Sequence, residues 1–196
     1  MTATAFSRIS PLLLAAVLGL AGCAEAVVGG AVVTGATAHH DRRSAGAIVE
    51  DKAIKVKLFN AITNDATLQD LHYNSAVYNG RVLLTGEAPT QEAKDRAGRV
   101  AQSIANVKQL HNELTVGPAS ALSARANDSF ISSKVNVALF DIQIEGFDIT
   151  RVDVSTEAGS VYLMGLVTRA EADAVVDKVR RVAGVKRVIK LFDLLD

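Results

Sequence analysis

Apolar and polar residues are arranged along this chain in a pattern that occurs twice. The stretches DKAIKVKLFNAI, from Asp51, and DSFISSKVNVAL, from Asp128, place apolar residues three and four positions apart. This spacing is typical of an amphipathic helix. Alternating apolar residues follow in 79–93, NGRVLLTGEAPTQEA, and in 158–172, AGSVYLMGLVTRAEA. Each of these runs predicts the second strand of a β-hairpin that turns at the glycine near its start.

Each predicted hairpin is followed by a second helix and a closing strand. Helical periodicity covers 91–104 and 170–183, and closing strands are predicted at 107–116 and 185–194. Both halves therefore have the order helix, strand, strand, helix, strand. Repetition of this order indicates two copies of one structural unit. The predicted fold class is α+β, in which each unit packs a small three-stranded mixed sheet against two helices.

Residues 1–22 have the pattern of a secretory signal peptide. Arg8 is the only charged residue in this stretch, and the apolar run 11–20 is shorter than the roughly 20 residues that span a bilayer. The stretch leads into Leu-Ala-Gly-Cys, which resembles the bacterial lipobox. The resemblance implies that Cys23 receives a diacylglycerol, that the preceding peptide is removed and that the new N-terminus is acylated. The alternative is a signal peptide that is cut elsewhere and an incidental free thiol.

Residues 23–44 are predicted to form a lipidated tether. Ala24 follows the cysteine, where an aspartate commonly retains lipoproteins in the inner membrane. The resemblance to Gram-negative lipoproteins therefore implies an outer-membrane protein that faces the periplasm. The tether ends in HHDRR, 39–43, whose arginines either meet lipid phosphates at the membrane surface or belong to a solvated hinge.

The repeated unit resembles the BON domain, a small αββαβ module of Gram-negative envelope proteins. The resemblance rests on an apolar strand that ends in glycine, an acidic-rich helix and spaced valines in a last strand. The two copies are VLLTGEAPTQEAKDRAGRVAQSIANV and VYLMGLVTRAEADAVVDKVRRVAGVKRV. Two such units behind a lipobox resemble the dual BON-domain outer-membrane lipoproteins. The predicted division is signal peptide 1–22, tether 23–44, first BON domain 45–117, linker 118–127 and second BON domain 128–196.

The first helix of the second repeat has two distinct faces. The face predicted to pack on the sheet carries Ile131, Val135, Ala138 and Ile142. The other face carries Phe130, Ser133, Lys134 and Val137. A large aromatic ring beside a cation on an exposed helix suits a site at a lipid surface, where the ring enters the headgroup boundary and the cation meets a phosphate. The alternative is that Phe130 packs on the other domain or on the linker.

The family resemblance implies that this second face binds anionic phospholipid, such as phosphatidylglycerol or cardiolipin. The resembled proteins carry a tryptophan where this chain has Phe130, and an arginine where it has Asn136. We therefore expect the same site with weaker binding, because an arginine near an anionic surface contributes about 1 kcal/mol. The matching positions of the first repeat are predicted to form a blander face without a large aromatic; they are Ala53, Val56, Lys57 and Asn60.

Composition and charge give no support for catalysis or nucleic-acid binding. The chain has 21 Lys and Arg against 21 Asp and Glu, so it lacks the net basic character typical of nucleic-acid binders. None of the four histidines has a metal-binding spacing; they are His39, His40, His72 and His111. We find no nucleophile with a base and no acid/base pair in the pattern. The prediction is a protein that is not an enzyme, with no catalytic residue, no cofactor and no metal ligand.

Two functional hypotheses remain. In the first, the protein is a lipid-anchored binder of anionic phospholipid that supports outer-membrane integrity, and the resemblance implies that it concentrates at the division site. In the second, it is an adaptor whose BON faces recruit other envelope proteins, including outer-membrane assembly proteins. In that case the acylated Cys23 is its only attachment to the membrane.

Overall fold

The computed structural model describes residues 41–195. The predicted signal peptide, Cys23 and most of the predicted tether lie outside the described residues. Within residues 41–195, both repeats fold in the predicted order of helix, strand, strand, helix, strand. The predicted α+β fold class with a mixed sheet in each repeat is confirmed.

The first repeat contains helices α1 and α2 and strands β1 to β4. Their bounds are α1 Ala45–Thr63, β1 His72–Tyr78, β2 Arg81–Ala88, α2 Gln91–Ser103, β3 Gln109–Asn112 and β4 Thr115–Val116. Strand β1 is antiparallel to β2, whereas β3 and β4 run parallel to it. The closing strand is interrupted between Asn112 and Thr115, where the side-chain oxygen of Asn112 accepts the Leu114 N–H at 3.4 Å. The Leu114 side chain is buried in the core of the repeat.

The second repeat has the same topology with an uninterrupted closing strand. Its bounds are α3 Leu122–Leu139, β5 Val152–Glu157, β6 Ser160–Val167, α4 Arg169–Val179 and β7 Arg187–Leu194. Strand β5 is antiparallel to β6, and β7 is parallel to β6. Strands β1 and β5 therefore lie at corresponding edges of the two sheets.

Helix α3 differs from expectation at its start and in its buried stripe. It begins at Leu122, within the predicted linker 118–127, because no glycine or proline interrupts the chain after Pro118. Its buried stripe is Ile131, Val135 and Leu139, which follows the four-residue step of one helix face. Ala138 is only partly buried. Ile142 lies beyond the end of the helix, although it packs against the same core.

An aspartate on the first helix of each repeat holds the hairpin turn of the same repeat. The Asp51 carboxylate accepts the N–H groups of Asn79 and Gly80, both at 2.7 Å. In the second repeat the Asp128 carboxylate accepts the two corresponding turn N–H groups, both at 2.9 Å. The aspartate that begins each repeated motif therefore has a structural role, which is to fasten the helix to the turn.

The two sheets pack on each other through the faces that point away from the helices. Each repeat has its own core between sheet and helices. A third apolar cluster joins the repeats; its buried members are Ala76, Tyr78, Leu83, Tyr162, Met164 and Leu191. Side chains alternate between the two faces of a strand, so the central strands are buried on both sides. The two repeats are therefore joined by an apolar interface and not only by the linker.

Polar contacts surround this apolar interface. The Asn79 side chain donates to Asp193 at 3.0 Å, and Arg81 forms an ion pair with the same carboxylate. At the opposite end of β1, the Asn74 amide donates to Glu157 at 3.3 Å. These contacts hold the first repeat against the second at both ends of the β1 strand.

Candidate functional site

The outward side of α3 carries an exposed apolar stripe. Phe130 is 62% exposed, and Val137 and Phe140 are 68% and 69% exposed. The stripe lies on the opposite side of the helix from the buried residues, as the helical period requires. Ser133 is exposed within it. The structure thus places the four predicted residues of this face together, with the ring of Phe130 open instead of packed on the first repeat.

Lys134 borders the stripe and is bound within the second repeat. Its ammonium group donates a hydrogen bond to the carbonyl of Ala183 and lies 4.7 Å from the centroid of the Phe130 ring. The second contact is a cation–π interaction, which positions the exposed ring. A lysine ammonium has three donors. The bond to Ala183 therefore leaves donors for a further acceptor, such as a phosphate oxygen.

Two arginines follow α4 and lie in the loop that contacts Lys134. Arg180 and Arg181 are both exposed, and both pair with Asp177, Arg181 at 2.7 Å. Two cations share one carboxylate, so this group retains a net positive charge. Sequence position alone did not reveal that this loop reaches the lysine of α3.

Phe140 was not predicted as part of the site. It follows Val137 by three residues and Phe130 by ten, so it continues the same side of the helix. This spacing could have identified Phe140 from the sequence. The predicted face ends at Val137, whereas the exposed stripe extends to Phe140, the C-cap residue of α3.

The first helix of the first repeat, α1, also carries an exposed aromatic side chain. Phe59 is 58% exposed, and Val49 and Val56 are exposed on the same helix. The prediction of a face without a large aromatic concerned only Ala53, Val56, Lys57 and Asn60, and Phe59 lies outside these four positions. A position-by-position comparison missed Phe59, because its counterpart in the second repeat is Asn136 and not Phe130.

The arginines at the end of the predicted tether bind protein groups. Arg42 pairs with Glu171 of the second repeat, with 3.0 Å between Nη2 and Oε1. Arg43 binds Asp51 of the first repeat at 2.8 Å and stacks 3.8 Å from the centroid of the Tyr78 ring. The expectations of a phosphate contact or a solvated hinge are therefore wrong for these two arginines. Together they fasten the residues before α1 to both repeats.

Glu171 has an unusual electrostatic environment at the start of α4. Burial acts to raise the pKa of this carboxyl group, but the hydrogen bond from Arg42, the Thr168 N–H and the charge of Arg42 outweigh it and lower the pKa. Arg151 adds a second guanidinium at 3.1 Å. The carboxylate therefore stays ionised and links the residues before α1 to the second repeat.

A groove of about 870 Å³ lies between the two repeats. Helices α1 and α3 contribute Lys55, Phe59 and Arg125 to its lining, and strands β1 and β5 contribute Asn74 and Glu157. Arg125 Nη1 lies 3.0 Å from Nε2 of His72, and the other ring nitrogen of His72 lies 2.8 Å from Glu87. Because arginine can only donate, this histidine accepts at Nε2 and donates to Glu87 from Nδ1.

The described residues show neither a metal-type cluster nor a bilayer-spanning helix. Across 41–195, no group of three or more His, Cys, Asp or Glu side chains is placed to hold a metal ion. Over the same range, no helix is both long enough and apolar enough to cross a membrane.

The repeated αββαβ fold and its sequence define the class of protein. The BON domain family matches residues 50–118 and 127–196, and the chain belongs to this family. It is 36% identical over 198 residues to the outer membrane lipoprotein DolP of Haemophilus influenzae, with all of both chains covered. It is also 34% identical over 154 residues to a 21 kDa hemolysin of Actinobacillus pleuropneumoniae, with 78% of each chain covered.

The chain also matches part of a solved structure, the C-terminal domain of CdsD, a structural protein of the type III secretion system of Chlamydia trachomatis. It shares 19% identity, and the match covers 74% of this chain and 67% of that one. The TM-score of this match is 0.29.

Proposed function

We propose that this protein is a lipid-anchored outer-membrane protein that faces the periplasm and binds anionic phospholipid through the outward side of α3. Its role in the envelope is to support outer-membrane integrity, and its place of action includes the division site. The full-length relationship to an outer membrane lipoprotein supports the location and the general role. The lipobox resemblance at Cys23 supports the anchor. The exposed stripe beside Lys134 is the observation that carries the lipid-binding part.

The size of this surface suits an auxiliary contact for a protein that already has an anchor. Full burial of one large apolar side chain contributes about 1.5–3 kcal/mol, and a headgroup-level contact buries only part of Phe130, Val137 and Phe140. A lysine near an anionic surface adds about 1 kcal/mol. The sum of a few kcal/mol corresponds to weak, reversible binding. Stable membrane attachment takes more than one acyl chain or signal, and the diacylglycerol and the N-terminal acyl chain expected at Cys23 already meet this requirement.

The test measures binding to vesicles without the contribution of the anchor. The protein is prepared without residues 1–22 and with Cys23→Ser, which keeps Arg42 and Arg43 in place. We expect cosedimentation with phosphatidylglycerol vesicles and not with phosphatidylcholine vesicles. Binding should decrease as the salt concentration rises, because exposed charges are screened.

Three variants locate the contact. Phe130→Ser with Val137→Ser removes two of the three apolar side chains of the stripe and should weaken binding strongly. Lys134→Gln removes the charge but keeps a donor for the Ala183 carbonyl, and should weaken binding mainly at low salt. Val116→Ser is the matched control, because Val116 is also an exposed apolar residue but lies in the first repeat. Failure of the protein without further substitutions to bind anionic vesicles at low salt would contradict the proposal.

The anchor and the location are tested in cells. Metabolic labelling with a fatty-acid analogue should label the wild type and not Cys23→Ser, and the variant should leave the outer-membrane fraction. A fluorescent fusion should concentrate at the septum, and the α3 double variant should disperse while it remains lipidated. Septal concentration of that double variant would separate division-site targeting from lipid binding.

The adaptor function is a second candidate, supported by the groove between the repeats. Its lining includes residues of β1 and β5, which are edge strands. Edge strands present unpaired backbone groups that another chain can extend. A photo-cross-linking residue at Ser75 or Ser155 would test this candidate in cells. Cross-links to one envelope protein that persist in the α3 double variant would favour the adaptor, and their absence would count against it.

A further inference from the structure

We infer that α1 of the first repeat is a second phospholipid-contacting helix, with Phe59 as its inserting side chain. This inference rests on the proposed function, because it names a further surface for the same class of ligand. Its evidence is separate, since it comes from the exposed residues and charges of α1 itself.

The apolar part of this surface is a stripe along α1. Val49, Val56 and Phe59 are spaced by seven and three residues, which places them along one side of the helix. All three are more than half exposed. The opposite side carries the residues that pack in the core of the repeat; these are Ile54, Leu58 and Ile62. The helix therefore has a second apolar side that its own fold does not use.

The charges beside this stripe are positive. Lys52 lies one helical turn from each valine, and Lys55 lies one turn before Phe59. Both lysines are exposed. Among the described residues, neither has an ion-pair partner within 4 Å. Lys57 is exposed and makes only a long contact with Glu50, at 3.8 Å.

The carboxylates of α1 do little to offset these lysines. Asp51 is buried and is already bound to Arg43 and to the hairpin turn. Helix α1 itself thus presents three lysines against the exposed carboxylate of Glu50, and Lys55 also lies within electrostatic reach of Asp153 of β5. A surface that combines exposed apolar side chains with an excess of lysine is typical of a helix that lies on an anionic membrane. This charge complementarity is the reason to assign a lipid surface to the stripe.

The position of Phe59 relative to α3 supports the same ligand. Lys55, Val56 and Phe59 of α1 line the groove between the repeats, as does Arg125 of α3. Each repeat therefore contributes a cation to the lining of the groove. Two carboxylates also line the groove. Glu157 accepts a hydrogen bond from Asn74, and Asp128 accepts two from the hairpin turn, so both have partners within the protein. A headgroup phosphate at the groove mouth would lie near cations from both repeats.

The absence of tryptophan from the sequence permits a site-specific test. Phe59→Trp, Phe130→Trp and Val116→Trp each introduce one tryptophan into the chain that carries Cys23→Ser and lacks residues 1–22. Each is mixed with phosphatidylglycerol vesicles, with and without brominated acyl chains that quench a nearby indole. We expect quenching and a blue shift for the tryptophan at 59 and none for the control at 116. An unquenched tryptophan at 59 in protein that binds the vesicles would overturn the inference.

The outcomes distinguish this inference from the proposed function. Quenching at 130 without quenching at 59 leaves the α3 site standing and refutes the α1 site. Quenching at 59 without quenching at 130 supports α1 and refutes α3. Failure of the protein to bind anionic vesicles refutes both.

An affinity measurement provides a second readout. The change Val56→Ser with Phe59→Ser should weaken binding to phosphatidylglycerol vesicles about tenfold, since it removes partial burial of two apolar side chains. Both positions are exposed, so thermal unfolding should be unchanged, and Val116→Ser again serves as the matched control. Unchanged vesicle affinity in this double variant would contradict a membrane role for α1.

Discussion

Ala158 occupies a backbone conformation that asparagine adopts more readily than alanine. The first hairpin turns through Asn79 and Gly80, with φ angles of 52° and 78°. The second turns through Ala158 and Gly159, with φ angles of 50° and 78°. Positive φ at both central residues is typical of the type I′ turn, which favours Asn-Gly. The second repeat thus has the same turn with a less suitable first residue.

The expected effect of Ala158→Asn is an increase in the free energy of unfolding of about 1 kcal/mol. The left-handed conformation costs an ordinary L-residue roughly 1–2 kcal/mol, and asparagine tolerates it better. For a protein of this size, about 1 kcal/mol corresponds to a rise in Tm of about 2–4 °C. The converse change, Asn79→Ala, should destabilise by more, because it also removes the side-chain bonds to Asp193 and Lys108.

The assay is urea unfolding at 25 °C, supported by thermal unfolding in the same buffer. Ala158→Gly is the informative control. Glycine also accepts positive φ, but it raises the conformational entropy of the unfolded chain and so offsets part of the gain. We expect the Ala158→Asn variant to be the most stable of the three proteins, with the Ala158→Gly variant and the wild type close together below it. An Ala158→Asn variant that is no more stable than the wild type, with an unchanged m-value, would refute the claim that this turn stores backbone strain.

Three other perturbations follow from particular contacts. Gly165→Ala would place a Cβ 2.4 Å from the carbonyl oxygen of Arg151. It should therefore lower the free energy of unfolding, measured in urea, by about 1–3 kcal/mol. Gly117→Ala is the control, because a Cβ at that position meets nothing within 4 Å. Asp128→Asn removes the charge that holds the second hairpin turn and should cost about 1.5–3 kcal/mol, and a loss below 0.5 kcal/mol, roughly that of a surface substitution, would contradict this role. The lowered pKa of Glu171 stabilises the fold above the pKa of the unfolded chain, and this contribution is lost as the pH falls through the lower folded value. Thermal unfolding between pH 6 and pH 3 should therefore show a steeper acid loss for wild type than for Arg42→Ala, and parallel curves would exclude the pair as a source of acid sensitivity.

Local periodicity accounts for the elements that could be predicted. Helices and strands of both repeats lie where spacings of three and four or of two residues placed them, because those spacings reflect which side of an element is buried. The predicted envelope lipoprotein with two BON domains also agrees with the family match and the full-length relative. The sequence also contained a pattern from which the contact between the two sheets could have been predicted. The consecutive apolar residues Val82, Leu83 and Leu84 are typical of a strand that is buried on both faces.

The sequence by itself determined the repeat, the order of its elements, the amphipathic character of α3 and the resemblance to a lipoprotein, because each depends on residues close together in the chain. The tertiary structure alone decided which polar groups were already engaged. Arg42 binds a carboxylate 129 residues away, and Lys134 binds a carbonyl 49 residues away; no local pattern encodes such contacts. It also decided that Phe59 stays exposed, because a helix has several sides and only packing shows which of them the fold leaves uncovered.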